Sequence, residues 1–480
     1  MPLLLIIAIV VALYAKSIRY KYMPDDSVRR DEYLYNVPET LPSHEFTKKI
    51  PPLRVRLWLI TNHCLNVAFI YVLFGWKAAL LFAVHPVAVN ATCWVTGNYY
   101  AGTTLLVLAG YWCISMFGWF GAIPALAFYT AALNSTLTSL GIPFFYLITM
   151  NPIGMTLFLP LIMYLRGDRF VKGLVIRKKM RQKNFDKLNY KKLSFMTKVV
   201  YEYIGMFFLP LRMALFRSFG EQVTRDEGYY NKDCAFNAHF MDALMACVAL
   251  FAVGMWLNPM AILWFFCLIA PHSQFKIYGQ SNPCNRYLYM PMIGLCILAG
   301  YLPLPAFYMF AGFLMYKTYL YIPAWRDQES LHKNNLDEFP ERPMSHSDYA
   351  QFVLSRVVPE NKDQVNRVNE GVFHMQEGHR MCANGHGPMF EIHLNMAFML
   401  SCIGNQEVAL EQTRLALSVG RAQGLHGNLE KIIENQVKTF EDALKAKEGG
   451  ARVTTTTAQS NVPTADNQKQ ISDGSDKQRS

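Results

Sequence analysis

Four short groups of residues in this 480-residue chain carry side chains able to move protons or hold anions. The first is the adjacent pair Asp25-Asp26. One carboxylate of such a pair can accept a proton from a hydroxyl while the other orients it or raises its pKa. An isolated Asp-Asp pair is also an ordinary solvated loop. The second is Leu81-Phe-Ala-Val-His85-Pro86-Val87, followed by Gly97-Asn98. Here a helix ends, and either His85 places an imidazole at the interface or Pro86 simply stops the helix and His85 satisfies a free carbonyl. The third joins Pro271-His272-Ser273-Gln274 to Asn285-Arg286-Tyr287-Leu288-Tyr289-Met290-Pro291. Arg286, flanked by tyrosines, could grip a phosphate with its planar fork, or it could snorkel within an aromatic belt. The fourth, Trp325-Arg326-Asp327, reads as a hinge with an interfacial tryptophan.

The elements that must position these groups are apolar. Hydrophobic residues make up 52% of the chain and charged residues only 17%, against about a quarter charged in soluble domains. Residues 1–325 hold the apolar runs, and residues 326–480 are polar with helical periodicity. This excludes a small secreted scaffold, a disordered chain and an ordinary soluble enzyme. Runs near 3–14, 57–74, 77–95, 101–117, 119–134, 140–164, 200–216, 241–257, 259–271, 289–302 and 304–320 predict an all-α, polytopic membrane bundle of about 11 spans, several below the ~20 residues of a straight crossing.

The net charge of +11 is concentrated. Residues 166–198 carry twelve Lys/Arg against Asp168 and Asp186, which marks a cytoplasmic loop better than a nucleic-acid surface. Six spans before this loop put the N-terminus in the cytoplasm. The loop 16–56, the loops 217–240 and 272–288, and everything after residue 321 then face outward or into a lumen. The loop 16–56 itself holds nine Lys/Arg and six acids, against the positive-inside trend. The ten cysteines show no Cys-x-x-Cys or Cys/His ligand spacing, so no metal or other cofactor is expected. A transporter reading is weak, because no pair of Gly/Pro-broken helices recurs in two halves.

After Trp325 the pattern is amphipathic. In 394–417, small residues Ala397, Gly404, Ala409 and Ala416 stand where two antiparallel helices of a tetratricopeptide-type hairpin cross. Residues 326–448 are therefore read as a small soluble repeat-like domain, with a generic helical hairpin as the alternative. The Thr/Ser/Gln-rich stretch 449–480 reads as a disordered tail.

Taken in order, the four groups resemble the transmembrane and tetratricopeptide-repeat O-mannosyltransferase family, multispanning sugar transferases that use lipid-linked donors. The matching residues are Asp25-Asp26, Leu81 to Val87, Pro271 to Gln274 with Arg286 to Gly294, and Trp325 to Asp327. Thr61-Asn62-His63-Cys64-Leu65-Asn66 is similar to the family's second helix. Asn90 stands where the family has a glutamate; Asn98 replaces an arginine and Tyr100 an acid. The resemblance implies inverting transfer of a sugar from a polyprenyl or dolichyl phosphate to a Ser/Thr hydroxyl of a protein. Asp25 or Asp26 would be the base, and Arg286, His85 and Tyr287 would hold the donor phosphate. The helical region around Asn395, Ala397, Gly404, Ala409 and Ala416 would present the acceptor protein. The missing charges support the alternative of a weakened membrane scaffold that recruits a protein partner through its repeat-like domain.

Overall fold

The computed structural model describes residues 1–20, 52–95, 97–133, 136–166, 190–214, 240–273, 284–354, 365–382, 390–402, 404–422 and 428–448. Asp25, Asp26, Gln274, most of the basic segment 166–198 and the tail 449–480 lie outside them. The fold is all-α, and no strand occurs among the described residues. In the first part the helices are α1 (Leu3–Tyr14), α2 (Pro52–Phe74), α3 (Trp76–Val84), α4 (Ala88–Cys93), α5 (Asn98–Phe117), α6 (Trp119–Leu133), α7 (Gly141–Ile148), α8 (Pro152–Met155) and α9 (Phe158–Arg166). They continue as α10 (Tyr190–Phe208), α11 (Phe240–Leu257), α12 (Pro259–Ser273), α13 (Asn285–Leu288), α14 (Met292–Ala299) and α15 (Leu304–Tyr321).

Among the described residues, three helices are long and apolar enough to cross a membrane: Leu53–Phe74, Asn98–Phe117 and Phe240–Leu257. This is fewer than the expected count of about 11, and the difference has a local cause. Apolar runs that read as single spans are folded as shorter pieces. The run 77–95 breaks at His85-Pro86, where His85 is extended (φ −77°, ψ 131°) and separates α3 from α4. The run 140–164 divides into α7, α8 and α9; Met150 adopts φ 52°, and Asn151 caps α8 by accepting the Gly154 N–H at 2.9 Å. Helix α15 has eighteen residues, but it carries Lys317 and four tyrosines.

One contiguous core joins α1, α2, α3, α5, α12 and α14, with Phe82, Phe265, Tyr289 and Trp325 among its fully buried side chains. A β-carbon placed on Gly294 of α14 would lie 2.2 Å from the Ala261 carbonyl of α12, so only glycine permits this approach.

A 3₁₀ turn, Ile322–Trp325, leads from α15 into α16 (Gln328–Glu338), α17 (Pro343–Leu354), α18 (Val365–Met381), α19 (Phe390–Cys402), α20 (Gln406–Ala422) and α21 (Asn428–Glu448). Asp327 caps α16 by accepting the Ser330 N–H at 2.8 Å. Burial opposes ionisation of Asp327, but Ser330 and the Arg326 guanidinium outweigh it and hold the carboxyl below its usual value. Sequential helices pack pairwise, α17 on α18, α19 on α20 and α20 on α21. Ala397, Ala409 and Ala416 are fully buried at these contacts, and Gly404 makes the turn between α19 and α20 at φ 85°. The segment after α10 ties these helices to the first part. Arg212 pairs with Glu341, the Met213 N–H donates to Glu338 at 3.2 Å, and Asn334 donates to the Met213 carbonyl at 2.8 Å.

Two histidine pairs cross the interfaces of α18. His346 of α17 and His374 meet Nδ1 to Nδ1 at 2.9 Å, while His346 Nε2 donates to the Pro340 carbonyl at 2.8 Å. His379 and His393 of α19 lie edge to face at 5.4 Å. Burial, and then the neighbouring His346, lowers the pKa of His374. Burial and His379 lower that of His393, against the Gln412 hydrogen bond that raises it.

Two outcomes are expected. Because both imidazoles are harder to protonate folded than unfolded, their stabilisation is complete above the unfolded value of ~6.5 and is lost as pH falls below it. Hydrogen-exchange protection of α17–α19 should therefore drop between pH 7.5 and 5, and unchanged protection would refute the assignment. Gly294→Ala should cost about 1–3 kcal/mol through overpacking, read as a lower unfolding temperature in detergent.

Candidate functional site

The ends of α4, α12, α13 and α15 come together at one end of the first part, beside the junction with α16. Arg286, in the first turn of α13, is the centre of this cluster. Its guanidinium carbon lies 5.2 Å from the Trp94 ring and 5.1 Å from the Tyr287 ring. Each such contact contributes about 1–2 kcal/mol when water is excluded. Tyr287 also shares a hydrogen bond with the guanidinium, but Nη1 is enclosed with no hydrogen-bond partner among the described residues.

The surrounding side chains fix the two rings. Tyr287 stacks on His272 at 4.2 Å with only 13° between the planes, and Tyr100 meets its edge at 5.7 Å. His272 shares a 2.7 Å hydrogen bond with Thr138. The backbone entering α13 is held at two points: the Cys284 N–H donates to the Tyr203 hydroxyl at 3.3 Å, and Asn285 donates to the Ala214 carbonyl at 3.0 Å. On the other side, Trp94 lies 5.9 Å from Trp325, which meets Tyr321 edge on at 6.2 Å. The Tyr321 hydroxyl donates to Asn90 Oδ1 at 3.2 Å. Trp325 Nε1 and Asn90 Nδ2 are both buried and without partners among the described residues. The 3₁₀ turn Ala15–Arg19, which precedes Tyr20, packs against Ile322–Trp325. Burial pushes the Tyr20 phenol up to about 12, with Arg326 and Arg56 close enough to oppose the shift.

The anticipated residues separate into three groups. Arg286 and Tyr287 are together in the cluster. Asp25 and Asp26 lie outside the described residues. His85 is not available to a phosphate: its Nδ1 accepts the Val87 N–H at 3.2 Å, so Nε2 carries the proton and donates to the Phe207 carbonyl at 3.1 Å. It is fully buried and stacks on Phe207 at 5.0 Å. Of the two readings of His85-Pro86, carbonyl satisfaction is the one observed. Asn98 accepts from Asn62 at 3.2 Å, so its side chain serves helix packing. Of the residues expected to touch an acceptor, Gly404 is exposed at its turn and the other four are interior. Asn395 donates to Ser347 at 2.8 Å, and Ala397, Ala409 and Ala416 have no exposed surface.

Sequence reading missed Trp94, and it named Asn90 only as a departure. It also missed the network behind the site. The Tyr289 hydroxyl donates to His63 Nδ1 at 2.8 Å and accepts from Asn66 at 3.4 Å, while His63 Nε2 donates to the Ala83 carbonyl at 3.3 Å. A polar triplet on one apolar helix face was the available signal, because such groups must be paired when buried. No three His, Cys, Asp or Glu side chains converge as a metal site among the described residues. No family model, curated protein or solved structure matches the chain.

Tyr289→Phe should lower stability by about 1–2 kcal/mol, because it leaves His63 Nδ1 buried without its donor. Thermal unfolding in detergent checks this, and a melting temperature equal to wild type would contradict it.

Proposed function

We propose that the protein is a membrane sugar transferase that takes its sugar from a polyprenyl or dolichyl phosphate. The observation that supports this best is the Arg286 guanidinium, which lies against the Trp94 and Tyr287 rings and whose enclosed Nη1 has no protein hydrogen-bond partner among the described residues. A buried charge without a counter-ion costs several kcal/mol, and a monoanionic phosphodiester would offset that cost. The apolar helices that surround the site suit a donor with a lipid tail. The ordered motifs resembling the O-mannosyltransferase family supply the chemistry.

In this reading Asp25 or Asp26 takes the proton of a Ser/Thr hydroxyl as its oxygen attacks the anomeric carbon. The bond from that carbon to the phosphate oxygen breaks with inversion, and the polyprenyl phosphate leaves toward Arg286. Positioning and charge stabilisation supply most of the acceleration, because phosphate is already a good leaving group. The bundle spans the membrane several times, and the paired helices after Trp325, read as tetratricopeptide-like hairpins, present the acceptor on the outer or lumenal face. His85 has no part in phosphate binding.

A second reading, a non-catalytic scaffold, is favoured by one observation. Asn90 and Asn98, which replace charged residues of the family, are both bonded inside the fold, to Tyr321 and Asn62.

Membranes carrying the protein, supplied with a panel of labelled polyprenyl-phosphate sugars, should transfer sugar. Transfer should fall by at least about a hundredfold in Asp25→Asn/Asp26→Asn and in Arg286→Gln. Full transfer in the aspartate double variant would remove the proposed base. No transfer from any donor by inserted wild-type protein would leave the scaffold reading.

A further inference from the structure

We propose that Asn90 and Trp325 complete, with Arg286, a buried cradle for a single phosphate-type oxyanion. This rests on the reading of Arg286 as an anion ligand, and it stands whether or not a sugar is transferred. Three donors, Arg286 Nη1, Trp325 Nε1 and Asn90 Nδ2, are enclosed and have no partner among the described residues. Buried donors are nearly always paired, because each one left unmade costs about 1–3 kcal/mol. Three around one ring therefore mark a missing acceptor.

The shared ring is Trp94. Arg286 lies over it, Trp325 is tilted 35° against it, and Asn90 stands one helical turn before it on α4. A β-carbon on Gly97 would strike both the Asn90 carbonyl, at 2.2 Å, and Trp94 Cε3, at 3.2 Å. The Tyr321 hydroxyl sets the amide orientation: it donates to Oδ1, so Nδ2 is the end left without a partner. Tyr321 also meets the Trp325 ring, so one residue orders both neutral donors. Arg56 donates to the Cys93 carbonyl next to Trp94 and adds positive field.

Among the described residues the cradle contains one cation and no carboxylate. That balance matches the phosphate monoester or diester oxygens shared by a lipid-linked phosphate and by free inorganic phosphate. It also gives Asn90 a role of its own. Its amide supplies an N–H where Tyr321 already occupies the oxygen.

The test is direct binding to the purified full-length protein in detergent, by calorimetry, with farnesyl phosphate as probe and farnesol and inorganic phosphate as the other arms. Trp325→Phe keeps an aromatic, though smaller, ring and removes the N–H. Asn90→Asp keeps the acceptor for Tyr321 and replaces the donor by an oxygen. Farnesyl phosphate should bind saturably and farnesol should not, and each variant should weaken binding by about tenfold or more. If the aspartate variant melts below the assay temperature, Asn90→Ser replaces it and the same loss is expected. Competition by inorganic phosphate assigns a soluble phosphate, and its failure to compete assigns the lipid-linked one; either supports the cradle. Unchanged affinity in both variants, or wild-type protein that binds neither phosphate, overturns it. Binding without sugar transfer overturns the transferase reading alone.

Discussion

The hydrogen bond from Tyr289 to His63 is the interaction on which the arrangement of the first part depends. An apolar bundle has no water to satisfy a polar side chain, so each buried polar group must find a partner from another helix. His63, Asn62 and Asn66 lie on one face of α2 and recruit Tyr289, Ala83, Asn98 and Ala101 from the end of α13, α3 and α5. Tyr289 stands three residues after Arg286. Fixing its hydroxyl to α2 fixes where the guanidinium can reach, and Phe82, packed on both rings, excludes competing partners. The polar network thus sets the register of a segment that is otherwise held by nondirectional packing.

The site itself is a column of flat groups. His272, Tyr287, the Arg286 guanidinium, Trp94 and Trp325 follow one another from the end of α12 to the junction with α16. Each layer restricts the next, so the cation is positioned with no carboxylate beside it among the described residues. A salt bridge would have neutralised the charge; aromatic faces hold it and leave its edge available.

Much of this was legible in the sequence, and the parts that were not share a physical reason. Composition and periodicity gave the all-α class. His85-Pro86 marked a helix end, and Gly404 with Ala397, Ala409 and Ala416 marked a tight hairpin, because proline geometry, positive φ and close helix approach are local demands. Crossing counts failed because apolarity alone does not say where a run bends. At 150–151 the chain turns inside a continuous apolar stretch. The contacts of Trp94 with Arg286, and of Met213 with α16, join positions far apart in the chain, and no spacing rule encodes them. Asn90 was visible only as a departure from a family pattern, and its donor became meaningful once Tyr321 was seen to occupy its oxygen.

The short stretch after α10 gives the two parts of the molecule a common mooring. Met213 is bonded to Asn334 and Glu338 on the α16 side, and the next residue, Ala214, accepts from Asn285 at the foot of the arginine-bearing turn. A single peptide link therefore separates the two sets of bonds. A mechanical load that drew α16 away from the bundle would reach the base of Arg286 through that link, and α15 through the covalent turn Ile322–Trp325.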